Sequence, residues 1–262
     1  MRFTKMQGLG NDYLYVYGEV PENIKELSIK LSDRHFGAGS DGMIFISPSD
    51  VADFKMRVFN ADGSEAKMCG NGIRCVGKYV YDKGYTNKQE ITVETLSGIK
   101  NLKFTLSDGK VKSVSVEMGV AVTEDEIEIS TESEKFILLP VSMGNPHAVV
   151  FVDDAEEISV ETLGPKIENQ PIFPDGVNVE FVEVLSRNEL RMRVWERGSG
   201  VTLACGTGAC ASVVAAIKKG FCNYSEPISV TLDGGVLQIT VYEDNSVVMN
   251  GPAEIVYEGE VL

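Results

Sequence analysis

The sequence predicts an α+β protein built as two equivalent halves, and three observations carry that prediction. The phrase Cys-Gly-x-Gly occurs twice, at Cys69 and at Cys205, each preceded twelve residues earlier by a matched triplet, Arg57-Val58-Phe59 and Arg193-Val194-Trp195. The flanking matches keep one order. Gly10-Asn11 answers Gly144-Asn145, Asp41-Gly42 answers Asp175-Gly176, Lys83-Gly84 answers Lys219-Gly220, and Met118-Gly119 answers Asn250-Gly251. Each half also reads as many short runs of β-branched and aromatic residues bounded by turn residues, with two helical stretches among them. Preserved order with slightly drifting offsets is the mark of a duplicated unit carrying small loop insertions.

In the first half the strand signals fall at residues 4–6, 13–17, 43–46, 54–60, 91–95, 102–106 and 111–118, with counterparts in the second. A helix is expected over residues 22–31, starting behind Pro21 and placing Ile24, Leu27 and Leu31 on one face. A second helix begins just after Cys69, with Ile73, Val76 and Val80 as its apolar stripe and Gly84 as its stop. Its partner begins just after Cys205 with Ala209, Val213, Ala216 and Ile217 inward, and its Ala/Val content places it centrally within its sheet. The halves are expected at residues 1–118 and 119–251. The acidic stretch 123–135 reads as the junction between them, and a tail at about 252–262 has no counterpart in the repeat and is expected to return to the first half as a strand.

Composition narrows the partners. Among 262 residues, 43% are hydrophobic and the formal net charge is −15, so the field of the molecule repels nucleic acid and anionic lipid. No apolar run approaches the roughly 18 residues of a membrane span, and the N-terminus lacks the apolar core of a signal peptide. A cytoplasmic protein with no membrane or nucleic-acid partner is expected. Five cysteines, an odd number, then read as free thiols. The spacings from Cys69 to Cys75 and from Cys205 to Cys210 do not match structural zinc, and two histidines are too few for a histidine-rich site, so no metal is expected.

A cysteine followed by Gly-x-Gly at the start of a helix has a physical use. Glycines allow close approach of a ligand to the backbone, and the first-turn N–H groups favour an anion there. The same dipole end is expected to lower the pKa of a cysteine held beside it. For one such phrase a packed turn with a small buried cysteine is the better account. Two matched copies favour a pair of thiols facing each other across a shared cleft, as an acid and a base on opposite faces of one carbon would require. Cys75, Cys210 and Cys222 lack the glycine setting and read as structural, as does His35. His147, beside Gly144-Asn145-Pro146, is open between a turn residue and a tuner of a nearby thiol. Asn60 and Glu196 close equivalent strands, and Glu196-Arg197 is open between a surface ion pair and a ligand site. A thiol–disulfide redox protein is the competing enzymatic reading, although Cys-x2-Cys is lacking. A binding module would need no activated thiol at all.

The phrases Gly8-Leu-Gly-Asn-Asp12, Phe59-Asn-Ala-Asp-Gly-Ser64, Cys69-Gly-Asn-Gly-Ile-Arg74, Met143-Gly-Asn-Pro-His147, Gly176-Val-Asn-Val-Glu-Phe181, Trp195-Glu-Arg-Gly198 and Leu203-Ala-Cys-Gly-Thr-Gly-Ala-Cys210 together resemble the diaminopimelate epimerases. The resemblance spans the whole chain. It implies two pseudo-symmetric α+β lobes, each a mostly antiparallel sheet wrapped around a central helix, usually assembled as a homodimer. It also implies cofactor-independent interconversion of LL- and meso-2,6-diaminopimelate, a step toward lysine and peptidoglycan precursors. Carried across by position, Cys69 and Cys205 would be the acid–base thiols and His147 and Glu196 their tuners. Asn11, Asn60, Gly70, Asn71, Asn145, Asn178, Glu196, Arg197, Gly206 and Thr207 would hold the substrate. Many members carry Gln after the aspartate of the segment ending at Asp41; this chain has Gly42, so that contact is left open.

Overall fold

The computed structural model describes residues 1–130 and 135–261. The chain divides into two compact units, Met1–Glu117 with Asn250–Leu262, and Met118–Met249.

In the first unit the strand Arg2–Gly8 lies between Asn11–Tyr17 and the returning tail strand Glu254–Glu260, antiparallel to both. Asn11–Tyr17 runs parallel to Gly42–Ser47, which is antiparallel to Phe54–Asn60; that strand is parallel to Glu90–Thr95, and Gly98–Ser107 and Lys110–Val120 complete the meander. Both parallel pairs occur where a helix intervenes, because only a crossover can bring consecutive strands side by side in the same direction. Helix α1 (Ile24–Ser32) makes the first crossover and α2 (Gly70–Asp82) the second.

The second unit repeats this wiring. Pro146–Phe151 is parallel to Asn178–Ser186 across α3 (Val160–Glu168), and Glu189–Glu196 is parallel to Ile228–Leu232 across α4 (Gly206–Lys218). Even register agrees with the sequence repeat: Phe54 faces Val93 in the first unit and Leu190 faces Val230 in the second.

Helices α2 and α4 are the centre of each unit. Residues 71–80 of α2 are buried without a break, as are residues 208–217 of α4. Helix α4 is apolar or small on all sides and must be enclosed, whereas α2 also buries Arg74 and Lys78, whose charged ends reach the Pro252 and Val111 carbonyls. Both end alike, in left-handed Gly84 and Gly220 with the next residue's N–H returning to the carbonyls of Val80 and Ala216. Around α1 the core comprises Phe3, Leu14, Val16, Leu31, Met43, Phe45 and Phe59, with Ile24 and Leu27 packed against it.

Two expectations are corrected. Helix α1 starts at Ile24, two residues later than its pattern implied, because the Ile24 N–H closes a turn onto the Pro21 carbonyl. The acidic stretch 123–135 is not a free junction. Residues 131–134 lie outside the described part, but Val122–Thr123 and Ile127–Ser130 pair with Lys135–Ser142 inside the second unit. Alternating exposed carboxylates with Ile127 and Ile129 reads as an acidic linker in composition but as a strand in period.

Gly164 in α3 shows how tightly the second unit is packed. A β-carbon there would lie 2.4 Å from Cγ of Trp195, whose indole N–H donates to Glu168 on the same helix. Gly164→Ala should therefore destabilise the protein. Alanine gains about 1 kcal/mol of helix propensity, but overpacking against the indole costs about 1–3 kcal/mol. Urea unfolding measures the balance, and a more stable variant would show that α3 does not sit against Trp195.

Candidate active site

Each of α2 and α4 begins on a cysteine. Cys69 and Cys205 occupy the N-cap positions in extended conformation, and their sulfurs accept hydrogen bonds at 3.3 Å from the N–H groups of Gly72 and Gly208. The N-cap preference is for a small side chain that can accept such a bond, and here a thiol fills the place usually taken by serine or aspartate. The second glycine of each phrase sits close against a neighbouring side chain. A β-carbon on Gly72 would lie 2.6 Å from Ile44 Cδ1, and one on Gly208 would lie 2.7 Å from Glu180 Oε1. The first-turn amides of a helix have no acceptor within the helix, so each cysteine stands beside donors suited to a carboxylate.

The surroundings of Cys69 form a polar chain. Its thiol donates to Asn11 Oδ1 at 3.3 Å, Asn11 Nδ2 donates to Asp41 Oδ2 at 2.8 Å, and Arg34 bridges Asp41 and Asp12 at 2.9 and 2.8 Å. Lys5 pairs with Asp12 from the other side at 2.5 Å. Burial tends to raise the Asp12 carboxyl, but bonds from Arg34 and Lys5 outweigh it and hold the group below the usual carboxylate range. Asp41 goes the other way, raised chiefly by burial. Asn60 donates to Ser64 at 3.1 Å, and the side-chain oxygen of Asn71 accepts from Arg74, whose fully buried guanidinium also ties Gly70 and Pro252.

Gly42 has a definite reason to be glycine. It pairs with Asn60, its φ is +153°, and a β-carbon would lie 2.1 Å from the Phe59 carbonyl oxygen. This backbone offers no room for a glutamine at that position.

Around Cys205 the site is more acidic and deeper. Cys69 is partly exposed, whereas Cys205 is 5% exposed. Burial first, then the carboxylates of Glu196 and Glu180, push the Cys205 thiol well above the ordinary thiol range, against the opposing bonds from Thr207 and the Gly208 N–H. The lowering expected from the helix terminus is present but loses to desolvation, which grows with the enclosure of α4. Burial also raises Glu196, whose Oε1 accepts from Thr202. Arg197 does not pair with Glu196; its guanidinium donates to the Asp175 carbonyl at 2.9 Å, and its own N–H donates to Asn178 Oδ1. Asn145 donates to Thr207 Oγ1 at 3.3 Å, beside Cys205. The structural thiols are distinct: burial pushes Cys75 up to about 11.

The sequence reading missed Glu180. Its carboxylate lies 2.6 Å from His147 Nδ1, with both side chains fully buried. Neither His147 Nε2 nor Glu180 Oε2 finds a hydrogen-bond partner among the described residues, and such orphaned groups cost about 1–3 kcal/mol each. The available signal was a glutamate inside the otherwise apolar run Val177-Asn-Val-Glu-Phe-Val182. Asp41 and Arg34, which orient Asn11, were likewise not assigned. Among the described residues no group of three or more His, Cys, Asp or Glu is placed to hold a metal ion, and no helix is long and apolar enough to cross a membrane.

The architecture is a duplicated α+β fold shared with solved structures. A probable proline racemase from Agrobacterium radiobacter superposes with TM-score 0.76 at 16% identity, covering 100% of this chain and 92% of that one. A PhzF-family phenazine biosynthesis protein from Bacillus anthracis gives TM-score 0.80 at 17% identity, covering 100% and 99%. Within that fold the sequence is specific. The diaminopimelate epimerase family model matches residues 3–124 and 139–256, and the diaminopimelate epimerase of Acetivibrio thermocellus is 54% identical over 100% of this chain and 98% of its own length. The chain belongs to the diaminopimelate epimerase family and is an isomerase.

The difference in burial yields a chemical prediction. At neutral pH, iodoacetamide should modify Cys69 well before Cys205, and leave Cys75 and Cys210 untouched in the folded protein. Peptide mapping by mass spectrometry reads the order; early labelling of Cys75 or Cys210 would contradict the burial pattern.

Proposed function

We propose that this protein epimerises 2,6-diaminopimelate between its LL and meso forms, using Cys69 and Cys205 as the two acid–base groups and no cofactor. The observation that carries the reading is the matched placement of a thiol at the N-cap of a buried helix in each unit. One sulfur, as thiolate, removes the α-proton, and the other, as thiol, returns a proton to the opposite face of the same carbon. Configuration inverts, and the two sulfurs exchange protonation states. The α-proton is far too weakly acidic for an unaided thiolate, so the barrier falls through donors to the substrate carboxylate as negative charge develops. Gly70-Asn71 and Gly206-Thr207, in the first turns of α2 and α4, supply those donors, each worth on the order of 3 kcal/mol by analogy with oxyanion holes.

Asn11, Asn60, Asn145, Asn178, Glu196 and Arg197 hold the substrate in this reading. His147 and Glu196 set the protonation of the thiols. The setting is a reducing cytoplasm, in keeping with five free cysteines, and the assembly is a homodimer, as the resemblance to the family implies.

Cys69→Ser and Cys205→Ser should each lower epimerisation by several orders of magnitude, because a serine hydroxyl is too weak a base. Either variant should still eliminate halide from a β-halogenated substrate analogue, which needs one base. Epimerase activity above a few per cent in either variant would sink the two-thiol assignment. Arg197→Ala should lower kcat/KM for diaminopimelate steeply, since a distal carboxylate loses a charge-assisted partner worth roughly 1.5–3 kcal/mol. An unchanged kcat/KM would remove Arg197 from the binding set.

A further inference from the structure

Glu180, the buried partner of His147, is not used by the mechanism above, and its geometry gives it a part. The strands Pro146–Phe151 and Asn178–Ser186 lie side by side in parallel, which brings His147 Nδ1 within 2.6 Å of Glu180 Oε1. The same Glu180 oxygen flanks the start of α4. The point where Gly208 would carry a β-carbon is 2.7 Å from Glu180 Oε1 and 3.2 Å from Cys205 Sγ. Glu196, from Glu189–Glu196, completes the set of titratable groups facing the thiol.

We propose that Glu180 is a positioning residue for the reaction. Its carboxylate accepts the His147 Nδ1 proton, fixes the imidazole in one tautomer and ring orientation, and places a negative charge beside Cys205 that keeps this sulfur protonated at rest. The inference rests on the reading of Cys205 as an acid–base group, and it says which state that group starts in.

Three observations support the arrangement. First, a buried imidazole with one nitrogen bonded to a carboxylate has its tautomer chosen by that bond, and here the other nitrogen, Nε2, has no partner among the described residues. Fixing Nδ1–H leaves Nε2 as a buried lone-pair acceptor. Second, a carboxylate in a dry environment acts on a neighbouring thiol through a low dielectric, where the effect is large. The Glu180 charge is one of the two that raise Cys205. Third, glycine at 208 is what allows the carboxylate and the sulfur to share one flank of the helix start, since any side chain there would meet Glu180 first. An acid that begins as a thiol suits the half-reaction in which the partly exposed Cys69 takes the proton.

The test uses resting-state readouts that do not depend on turnover. The chain has two histidines, His35 and His147, so nitrogen-15 histidine labelling resolves the tautomer of each by NMR. In the unsubstituted protein His147 should carry a proton on Nδ1; a proton on Nε2 alone overturns the proposal without any variant. Glu180→Gln removes the charge with nearly the same shape. It should leave His147 a mixture of tautomers and move the pH profile of Cys205 alkylation to lower pH by about one unit or more, because the carboxylate that favoured the thiol is gone. The limb of the kcat/KM profile that reports the protonated thiol should move the same way, with kcat down on the order of 10-fold and KM little changed. A folded Glu180→Gln protein with both resting-state readouts unmoved overturns the inference, whatever its kcat. Should Cys205→Ser retain epimerase activity, the acid–base assignment fails instead, and the tautomer and alkylation results still decide the role of Glu180.

Discussion

The structure depends on one short contact made twice: the third amide of a buried helix donating to the sulfur of the residue that caps it. Gly72 donates to Cys69 and Gly208 to Cys205, both at 3.3 Å. The contact fixes where each helix begins, and the helix, buried all round, fixes how the sheet must curl about it. Glycine stands at the third helical position in both copies, where the end of the Ile44 side chain in one unit and of Glu180 in the other lies close to where a β-carbon would be. In the proposed reaction a substrate carboxylate and the sulfur that exchanges the α-proton would share one helix terminus.

Two copies of one unit have kept this contact and changed its surroundings. Cys69 is partly exposed and reaches solvent-facing charges through Asn11, Asp41 and Arg34. Cys205 is enclosed, with carboxylates of Glu180 and Glu196 as its charged neighbours. Equivalent backbones thus hold the same side chain in unlike electrostatic settings, and burial with the two carboxylates raises Cys205. A reaction that needs one thiolate and one thiol at the start benefits from that inequality.

Much of this was legible in the sequence. The repeat, the two helices of each half, the cysteines at their start and the glycines that end them all rest on local rules of period and capping. The start of α1 was misjudged because a turn closed by Pro21 competes with the first helical turn. The stretch 123–135 was misjudged because its charge was weighed above its alternation. The pKa of Cys205 was misjudged in direction, since the dipole is visible in the sequence whereas enclosure is a property of the packed unit. Glu180 escaped for the same reason: its partner His147 is distant in sequence and adjacent only once two parallel strands pair.

Solvent isotope incorporation tests the central claim most directly. With LL-diaminopimelate in deuterium oxide at low conversion, the account predicts that meso product carries deuterium at the inverted carbon while recovered substrate stays unlabelled. The abstracted proton resides on one sulfur, and the solvent-derived one is delivered by the other. Product that retains protium at the inverted carbon would mean that a single base removes and returns the same proton, and would contradict the two-thiol account.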